Sequence, residues 1–339
     1  MPDGRPSDCS RSLDELGTRS RHLLSLALAP RTKDNYDGAF RRYTTFCRHH
    51  KLSPFPVRED TLMHFTTDLS YTLAHDSIKV HLSAIAFHAA ILKHPLQINN
   101  FKRLYYLLRG IKRVQGKSKK KKKRAPITPS LLKIINVNLF NSGRLYDDKV
   151  MLWAALLTAF FGFLRVSEYT STHKTSYDPT TTLLFSNLTF TADGAATLLI
   201  KTSKTDPFRE GVLLRLEPNG SPLCPVAALR LHSLSHPSKD GPLFTFQNGR
   251  YLTRRDINEV LVLTTDGLAS ISSHSLRIGA ASTAAAAGCP KWLIQALGRW
   301  SSDCFKDYIR IPRMTVRNTS RLLARCTRAD IERFDPDNL

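Results

Sequence analysis

The first third of the chain places hydrophobic residues at the spacing of amphipathic helices. From about residue 31, aromatic residues recur every three or four positions: Tyr36, Phe40, Tyr43 and Phe46. Similar apolar stripes predict further helices over 60–69, 76–90 and 101–114. No stretch here alternates with the two-residue period of a strand. We therefore predict an all-α domain over residues 26–115, preceded by a polar, disordered tail over residues 1–25.

The pattern changes after residue 127. Residues 150–164 are apolar on every side, which predicts a buried central helix. Segments of strand character, with a hairpin turn at Asp193-Gly194, predict a small antiparallel sheet: 183–190, 197–202 and 212–216. Helical spacing then returns over 225–232, 253–263, 275–287, 291–297 and 303–309. The predicted fold class is mainly α, with a second, α+β domain of helices and a three-stranded sheet over residues 127–325 and a tail over 326–339.

A strongly basic segment over residues 116–126 joins the two predicted domains. Twelve basic residues and no acidic residue lie between Lys102 and Arg124. The whole chain has 50 Lys and Arg against 28 Asp and Glu, a formal net charge of +22. Such an imbalance indicates a polyanionic partner, either nucleic acid or an anionic membrane surface. We predict an exposed linker that contacts phosphates and also resembles a nuclear localisation signal.

Several classes of protein do not fit this sequence. The longest apolar run, 150–164, is shorter than a membrane span and stops at Arg165. The N-terminal residues are polar and do not predict a secretory signal. The six cysteines are scattered without a CxxC pair, which argues against a zinc cluster and a disulfide framework. We expect a reducing compartment: the nucleus in a eukaryote, otherwise the cytoplasm.

Two arginines stand in apolar surroundings where a charge is costly to bury. Arg165 ends the predicted central helix, and Arg277 lies among Leu, Ile, Gly and Ala. Each alone is compatible with a buried salt bridge, as Arg165 would form with Glu168 three positions on. His274 lies three positions before Arg277 and so shares its helical face. Together these residues indicate a site that holds an anion, such as a phosphodiester.

Three short segments carry a resemblance to a known family: GFLRVSE at 162–168, HSLRIGAA at 274–281 and GRWSSDCFKDYIR at 298–310. In this order they resemble the three motifs of the tyrosine recombinase (phage integrase) superfamily. The resemblance covers roughly residues 25–325. The first domain resembles that family's DNA core-binding domain, and the second resembles its catalytic domain. The third segment is most similar to recombinases of eukaryotic mobile elements of the Crypton and DIRS kinds.

The resemblance implies a role for each residue at the reacting phosphate. Tyr308 would attack the phosphodiester and form a 3′-phosphotyrosyl link. Arg165 and Arg277 would hold the non-bridging oxygens and stabilise the pentavalent transition state. His274 would assist proton transfer to or from the tyrosine. The family's chemistry needs neither a metal nor another cofactor, and the sequence has no HExxH motif.

Three further residues complete the implied set. Lys204 would protonate the leaving 5′ oxygen, with Lys201 as the alternative because both flank the second predicted strand. Glu168 would hold either Arg165 or His274 in place. Trp300 would donate a hydrogen bond through its indole N–H and wall the site. It lies eight positions before the tyrosine, whereas well-known phage and bacterial members typically have nine positions there.

The basic residues outside this set suggest the remaining contacts with double-stranded DNA. The residues expected to bind DNA are Lys117, Lys119, Lys120, Lys121, Lys122, Lys123, Arg124, Arg209, Arg254 and Arg255. The resemblance also implies a homo-oligomer, a tetramer on DNA, and an origin in a mobile element. We weighed three alternatives: an inactive DNA-binding protein descended from a recombinase, a type IB topoisomerase and a purely structural basic protein. The complete residue set and the two-domain layout favour the recombinase.

Overall fold

The computed structural model describes residues 11–94, 96–118, 124–201, 210–236, 239–265 and 270–309, with only the backbone at 117, 118 and 307. The chain divides into two compact units, Met1–Lys121 and Lys122–Leu339. The division falls within the basic segment that the sequence analysis identified. No helix in the described ranges has the length and the apolar character to cross a membrane.

The first unit is helical throughout its described residues. Its α-helices are α1 (Leu13–Ser25), α2 (Pro30–His49), α3 (Glu59–Thr72), α4 (His75–Ile91) and α5 (Lys102–Ser118). One hydrophobic core joins α2 to α5, and its fully buried members include Tyr43, Phe65, Leu69, Ile85 and Leu104. The aromatic stripe predicted from residue 31 supplies Tyr43 to this core. The prediction of an all-α first domain is therefore confirmed.

Helix α1 differs from the predicted disordered tail over 1–25. Ser12 and Glu15 form a reciprocal cap: the Ser12 Oγ accepts from the Glu15 N–H at 3.2 Å, and the Ser12 N–H donates to Glu15 Oε2 at 3.0 Å. No residue of α1 is buried. A helix that buries no face needs no periodic apolar stripe, which is why hydrophobic spacing did not reveal it. Residues 1–10 of the predicted tail lie outside the described ranges.

The second unit has helices on a small antiparallel sheet. Its helices are α6 (Pro129–Phe140), α7 (Tyr146–Phe161), α8 (Val166–Tyr169), α9 (Pro225–Ser235), α10 (Arg254–Thr264), α11 (His274–Ala286) and α12 (Lys291–Leu297). A 3₁₀ turn over Asp303–Asp307 follows them. Every residue of α7 from Val150 to Phe160 is buried, so the predicted central helix is confirmed. It is the axis around which the large core of this unit is packed.

The three strands, β1 (Leu188–Phe190), β2 (Ala196–Ile200) and β3 (Val212–Leu216), pair in sequence order and antiparallel. Leu198 faces Leu188 on one side and Leu214 on the other. The sheet is confirmed, but β1 is shorter than the predicted strand over 183–190. Residues 185–187 form a 3₁₀ turn instead, because the Asn187 side chain accepts the Leu184 N–H at 2.9 Å.

The chain that enters the second unit lies against α11. The Ala125 N–H donates to the Ser270 carbonyl at 3.3 Å, and the Ile127 N–H donates to the Ser275 carbonyl at 3.0 Å. Gly279 permits this approach: a Cβ there would lie 1.8 Å from the Ile127 carbonyl oxygen. The result is that Arg124 enters the fold beside the start of α11, where His274 lies.

Candidate active site

Three segments that are far apart in sequence meet in the second unit. Helix α7 ends at Phe161, and Phe163 then adopts a left-handed φ of +50°, which turns the chain so that Arg165 begins α8. Helix α11 contributes its first turn. The third segment follows α12 and contains Arg299, which has a left-handed φ of +53°. These are the three segments that the sequence analysis singled out.

Arg277 ties the three segments together. Its side chain is fully buried, one Nη group donates to the Phe163 carbonyl, and the other donates to the Gly298 carbonyl. Its guanidinium carbon lies 4.3 Å from the centre of the Trp300 ring. Burial, and next the nearby charge of Arg165, lower the pKa of Arg277 to about 10. In this structure Arg277 is held by backbone carbonyls and does not reach the surface, whereas the sequence analysis expected it to contact phosphate directly.

Glu168 is a buried carboxylate between two arginines, with a side chain only 2% exposed. Its Oε1 lies 2.9 Å from Arg165 Nη1, and its Oε2 accepts from the Arg165 backbone N–H at 2.9 Å. The same Oε2 accepts from Arg299 Nη2 at 2.8 Å. Of the two partners expected for Glu168, Arg165 is the one it contacts. The Arg165 side chain is 17% exposed, so an approaching anion can touch it, unlike the fully buried Arg277.

Tyr308 lies at the same place despite the short spacing from Trp300. Its ring centre is 5.1 Å from that of His274 and 5.0 Å from that of Trp300. The Arg277 guanidinium carbon lies 5.9 Å from the Tyr308 ring centre. The 3₁₀ turn fixes this position, since the Tyr308 N–H donates to the Phe305 carbonyl at 2.9 Å. The structure therefore brings the predicted nucleophile, histidine and second arginine together.

Trp300 forms one wall of this cluster. Its ring lies over Gly298, where a Cβ would come within 1.6 Å of the indole, and it meets the Phe163 ring edge-on at 6.3 Å. The indole is buried, and its N–H makes no hydrogen bond within the described part of the chain. A buried N–H without a partner costs free energy. The wall role assigned to Trp300 fits this geometry, and its N–H is available as a donor to a bound group.

His274 begins α11 in a strongly positive environment. Burial is the largest cause that lowers its pKa to about 4, and the charges of nearby arginines lower it further: Arg124, Arg277, Arg165 and Arg254. The imidazole is therefore neutral at neutral pH, and the same shift makes it a weak base while burial and these positive charges act on it. The effect also places Arg124 and Arg254, both predicted DNA contacts, close to the site.

The remaining predicted residues are only partly described. Arg255 is exposed beside Arg254 in the first turn of α10. Lys201 donates through Nζ to the Pro179 carbonyl at 2.9 Å. The residues outside the described side chains are Lys117, Lys119, Lys120, Lys121, Lys122, Lys123, Lys204 and Arg209. No group of three or more His, Cys, Asp and Glu residues in the described ranges could hold a metal ion.

Arg299 is the residue that the sequence analysis missed. It contacts Glu168 and, at 3.2 Å through Nη1, the Gly162 carbonyl. A signal for it was present: Arg299, and not Trp300, lies nine positions before Tyr308. The motif resemblance points to the tryptophan of GRW and implies no role for the arginine beside it.

Positive charge predominates among the described side chains of this cluster. Arg165 and Arg299 pair with the carboxylate of Glu168, and the buried guanidinium of Arg277 lies close by, so these four side chains carry three positive charges and one negative charge. Excess charge of one sign is costly where water is excluded. An anion bound at this point would offset that cost, and a phosphodiester carries the required negative charge.

The fold is similar to those of solved DNA recombinases and integrases. The Tn1549 transposon integrase in complex with circular intermediate DNA has a TM-score of 0.58 at 15% identity, covering 90% of this chain and 97% of that chain. A lambda integrase dimer bound to a COC′ core site has a TM-score of 0.55 at 15% identity, covering 88% and 94%. XerH site-specific recombinase bound to difH substrate has a TM-score of 0.51 at 15% identity, covering 79% and 71%.

The sequence matches no protein-family model and no curated protein. At such low identity the structural likeness bears on the fold alone. The helical architecture, the small antiparallel sheet and the extent of the superpositions agree. This chain therefore has the fold of the tyrosine recombinases.

Proposed function

We propose that this protein is a site-specific DNA recombinase that cuts and rejoins strands through a 3′-phosphotyrosyl intermediate on Tyr308. The observation that carries the proposal is the packing of the Tyr308 ring against His274 and Trp300, beside the buried guanidinium of Arg277. A phenol becomes an effective nucleophile only where developing negative charge is stabilised. The arginine cluster supplies that stabilisation.

In the proposed reaction the Tyr308 oxygen attacks phosphorus and the bond to the 5′ oxygen breaks. His274 accepts the phenol proton once the negative charge of the bound phosphate offsets the nearby arginine charges that lower its pKa. Arg165 contacts a non-bridging oxygen directly, because its side chain reaches the surface. Arg277 lies beneath the Tyr308 ring and stabilises the negative charge of the same phosphate through its own positive charge. Its hydrogen bonds to the Phe163 and Gly298 carbonyls also hold the three segments together.

Lys204 gives its proton to the leaving 5′ oxygen, so the strand ends as a free hydroxyl. Trp300 donates its unpaired indole N–H to the bound phosphate. In rejoining, a 5′ hydroxyl attacks the phosphotyrosine and its proton returns to the lysine, while the tyrosine leaves and takes its proton back from His274. The energy of the original bond is retained in the phosphotyrosine, so no nucleotide is consumed. These steps use side chains of this chain alone.

The proposal extends to the setting in which the protein acts. The partner is double-stranded DNA, held by the basic residues near the site and by the linker, and strand exchange takes place in a tetramer. The amino-acid sequence of the third motif supports an origin in a mobile element of the Crypton or DIRS kind. The basic linker supports import into a nucleus.

A second candidate is a DNA-binding protein of the same fold that no longer cuts DNA. The complete burial of Arg277 favours it, because a side chain committed to two carbonyls serves structure as well as it serves chemistry. The two candidates differ in one observable property. The recombinase forms a covalent bond between protein and DNA, and the binding protein does not.

Covalent trapping separates them. Full-length protein is incubated in EDTA with nicked duplexes of random sequence, denatured in detergent, and searched for DNA-linked protein. The adduct is expected on the peptide containing Tyr308, to be absent in Tyr308→Phe, and to persist in Tyr146→Phe, an exposed tyrosine on α7. An adduct in the Tyr308→Phe variant overturns the assignment of Tyr308 as nucleophile. If wild type forms no adduct on any duplex, the DNA-binding protein that no longer cuts DNA is the favoured candidate.

A further inference from the structure

Arg299 links the third motif directly to the first. Its Nη2 lies 2.8 Å from Glu168 Oε2, and its Nη1 lies 3.2 Å from the Gly162 carbonyl oxygen. A second, longer contact of 3.4 Å joins Nη2 to the Phe163 carbonyl. The side chain is only 10% exposed, so these contacts are shielded from water and salt. Arg299 has none of the roles proposed so far.

The position of Arg299 changes what Glu168 does to Arg165. A carboxylate paired with one arginine neutralises it, and a phosphate must then compete with that carboxylate. Here Glu168 offers Oε1 to Arg165 and Oε2 to Arg299, so one negative charge is divided between two guanidiniums. Arg165 therefore keeps most of its attraction for an incoming anion while remaining fixed in direction.

The contact also sets the rotation of the carboxyl group. Oε2 is held by Arg299 Nη2 and by the Arg165 backbone N–H, which leaves Oε1 facing the Arg165 guanidinium. Without Arg299, Oε2 would lose its charged donor, and the carboxyl group would be able to turn both oxygens onto the planar fork of Arg165. That bidentate pair would take up the donors that a phosphate needs.

We infer that Arg299 is a positioning residue. By sharing the negative charge of the Glu168 carboxylate, it keeps the exposed guanidinium of Arg165 available to bind a phosphate. The inference rests on the proposed function and deepens it, because it names what prepares the phosphate site before DNA arrives. Arg299 acts through Glu168 and does not itself touch the phosphate. The effect of replacing Arg299 must therefore depend on whether Glu168 is present.

The experiment measures the affinity of inorganic phosphate at this site in the full-length protein. The chain has 12 histidines, and the NMR signal of the His274 ring is identified by its absence from a His274→Asn variant. A change in that signal on addition of phosphate reports binding at this site. The variants are Arg299→Met, Arg299→Lys, Glu168→Gln and the double variant with Glu168→Gln and Arg299→Met. Arg215→Met is the matched control, since Arg215 also forms side-chain ion pairs, here with Asp193 and Glu217, but on the exposed face of β3.

We expect Arg299→Met to weaken phosphate binding about tenfold when Glu168 is present and by less than about twofold in the Glu168→Gln background. Arg299→Lys keeps a cation against Glu168 and is expected to bind within about threefold of wild type. Arg215→Met is expected to leave the affinity unchanged. Circular dichroism and melting curves establish the folded fraction of every variant.

Four results would overturn the inference. They are an equal loss of affinity in both backgrounds, no loss in Arg299→Met, a loss in Arg299→Lys as large as in Arg299→Met, and unfolding of Arg299→Met with or without Glu168. Failure of the proposed function looks different. In that case phosphate binding still depends jointly on Arg299 and Glu168, but wild type never forms the Tyr308 adduct. An adduct without that joint dependence overturns the inference alone.

Discussion

Arg277→Lys tests whether the buried guanidinium holds the site together. Lysine keeps the positive charge but has a single ammonium in place of a planar fork, so it cannot donate to the Phe163 and Gly298 carbonyls together in the same way. The substitution loses one hydrogen bond from a charged donor, worth about 1.5–3 kcal/mol, and leaves a buried carbonyl without its partner. It also weakens the contact with the Trp300 ring, which is worth about 2 kcal/mol when desolvated.

We therefore expect Arg277→Lys to lower the free energy of unfolding of the second unit by about 3 kcal/mol, because part of the loss is recovered as the site relaxes. For a unit of this size that corresponds to a fall in Tm of roughly 6–12 °C. Urea denaturation followed by tryptophan fluorescence measures it, since all three tryptophans, Trp153, Trp292 and Trp300, lie in the second unit.

Arg165→Lys is the matched control. Arg165 is partly exposed and makes its side-chain ion pair with Glu168, so its replacement is expected to cost no more than about 1.5 kcal/mol. Both variants are expected to lose DNA cleavage. A cost below about 1 kcal/mol for Arg277→Lys would show that the two carbonyl contacts do not hold the three segments together. Equal costs for the two variants would contradict the difference in burial on which the reasoning rests.

Three further predictions concern the linker, the loss of stability at acid pH and the packing of α11. Replacing Lys119–Lys123 by serine should weaken binding to all duplexes alike and flatten the log–log salt dependence by up to ~0.9 per lost phosphate contact; an unchanged slope would assign the run to tethering or import alone. Burial lowers the pKa of His232 to about 4, so the unfolded state takes up the proton first. Stability should therefore fall as the pH drops from about 6.5 towards 4, by up to about 3 kcal/mol from this residue, and urea titrations of His232→Gln should show a shallower fall. Gly279→Ala should destabilise the second unit by about 3 kcal/mol because its Cβ would strike the Ile127 carbonyl, whereas Gly38→Ala, in open space on α2, should stabilise the first unit by roughly 0.5–1 kcal/mol; thermal melts of both variants check this, and equal effects would contradict it.

The sequence revealed the elements whose hydrophobic pattern is tied to burial. Residues 150–160 of α7 are apolar on every side because the core surrounds them. The aromatic residues of α2 recur every three or four positions because one face of that helix packs into the core of the first unit. Helix α1 lacked that signal because its stability is local, in the cap between Ser12 and Glu15. The shortened β1 has a similar cause, since a side chain of Asn187 competes with the strand for one backbone N–H.

The candidate site was predictable as a set of residue types and not as a geometry. Motif order pointed to Arg165, His274, Arg277 and Tyr308, and these four residues do converge. Sequence could not show that Arg277 is fully buried, because burial depends on how the turns at residues 163 and 299 are folded. The nine-position spacing from Tyr308 could have singled out Arg299, but only the folded chain shows that it contacts Glu168.

The order in which the site can be completed follows from the bridge that Arg277 makes. Arg165 precedes Tyr308 by 143 positions, so during synthesis the arginine proposed to bind phosphate is made well before the proposed nucleophile. Tyr308 follows the segment around Gly298, which Arg277 of α11 links by hydrogen bonds to the turn at Phe163. Tyr308 therefore reaches His274 and Trp300 only when these contacts have formed. If Tyr308 is the nucleophile as proposed, a chain that has not yet folded around Gly298 would lack the ability to cleave DNA even where Arg165 can already bind phosphate. Cleavage would then depend on the completed folding of the second unit.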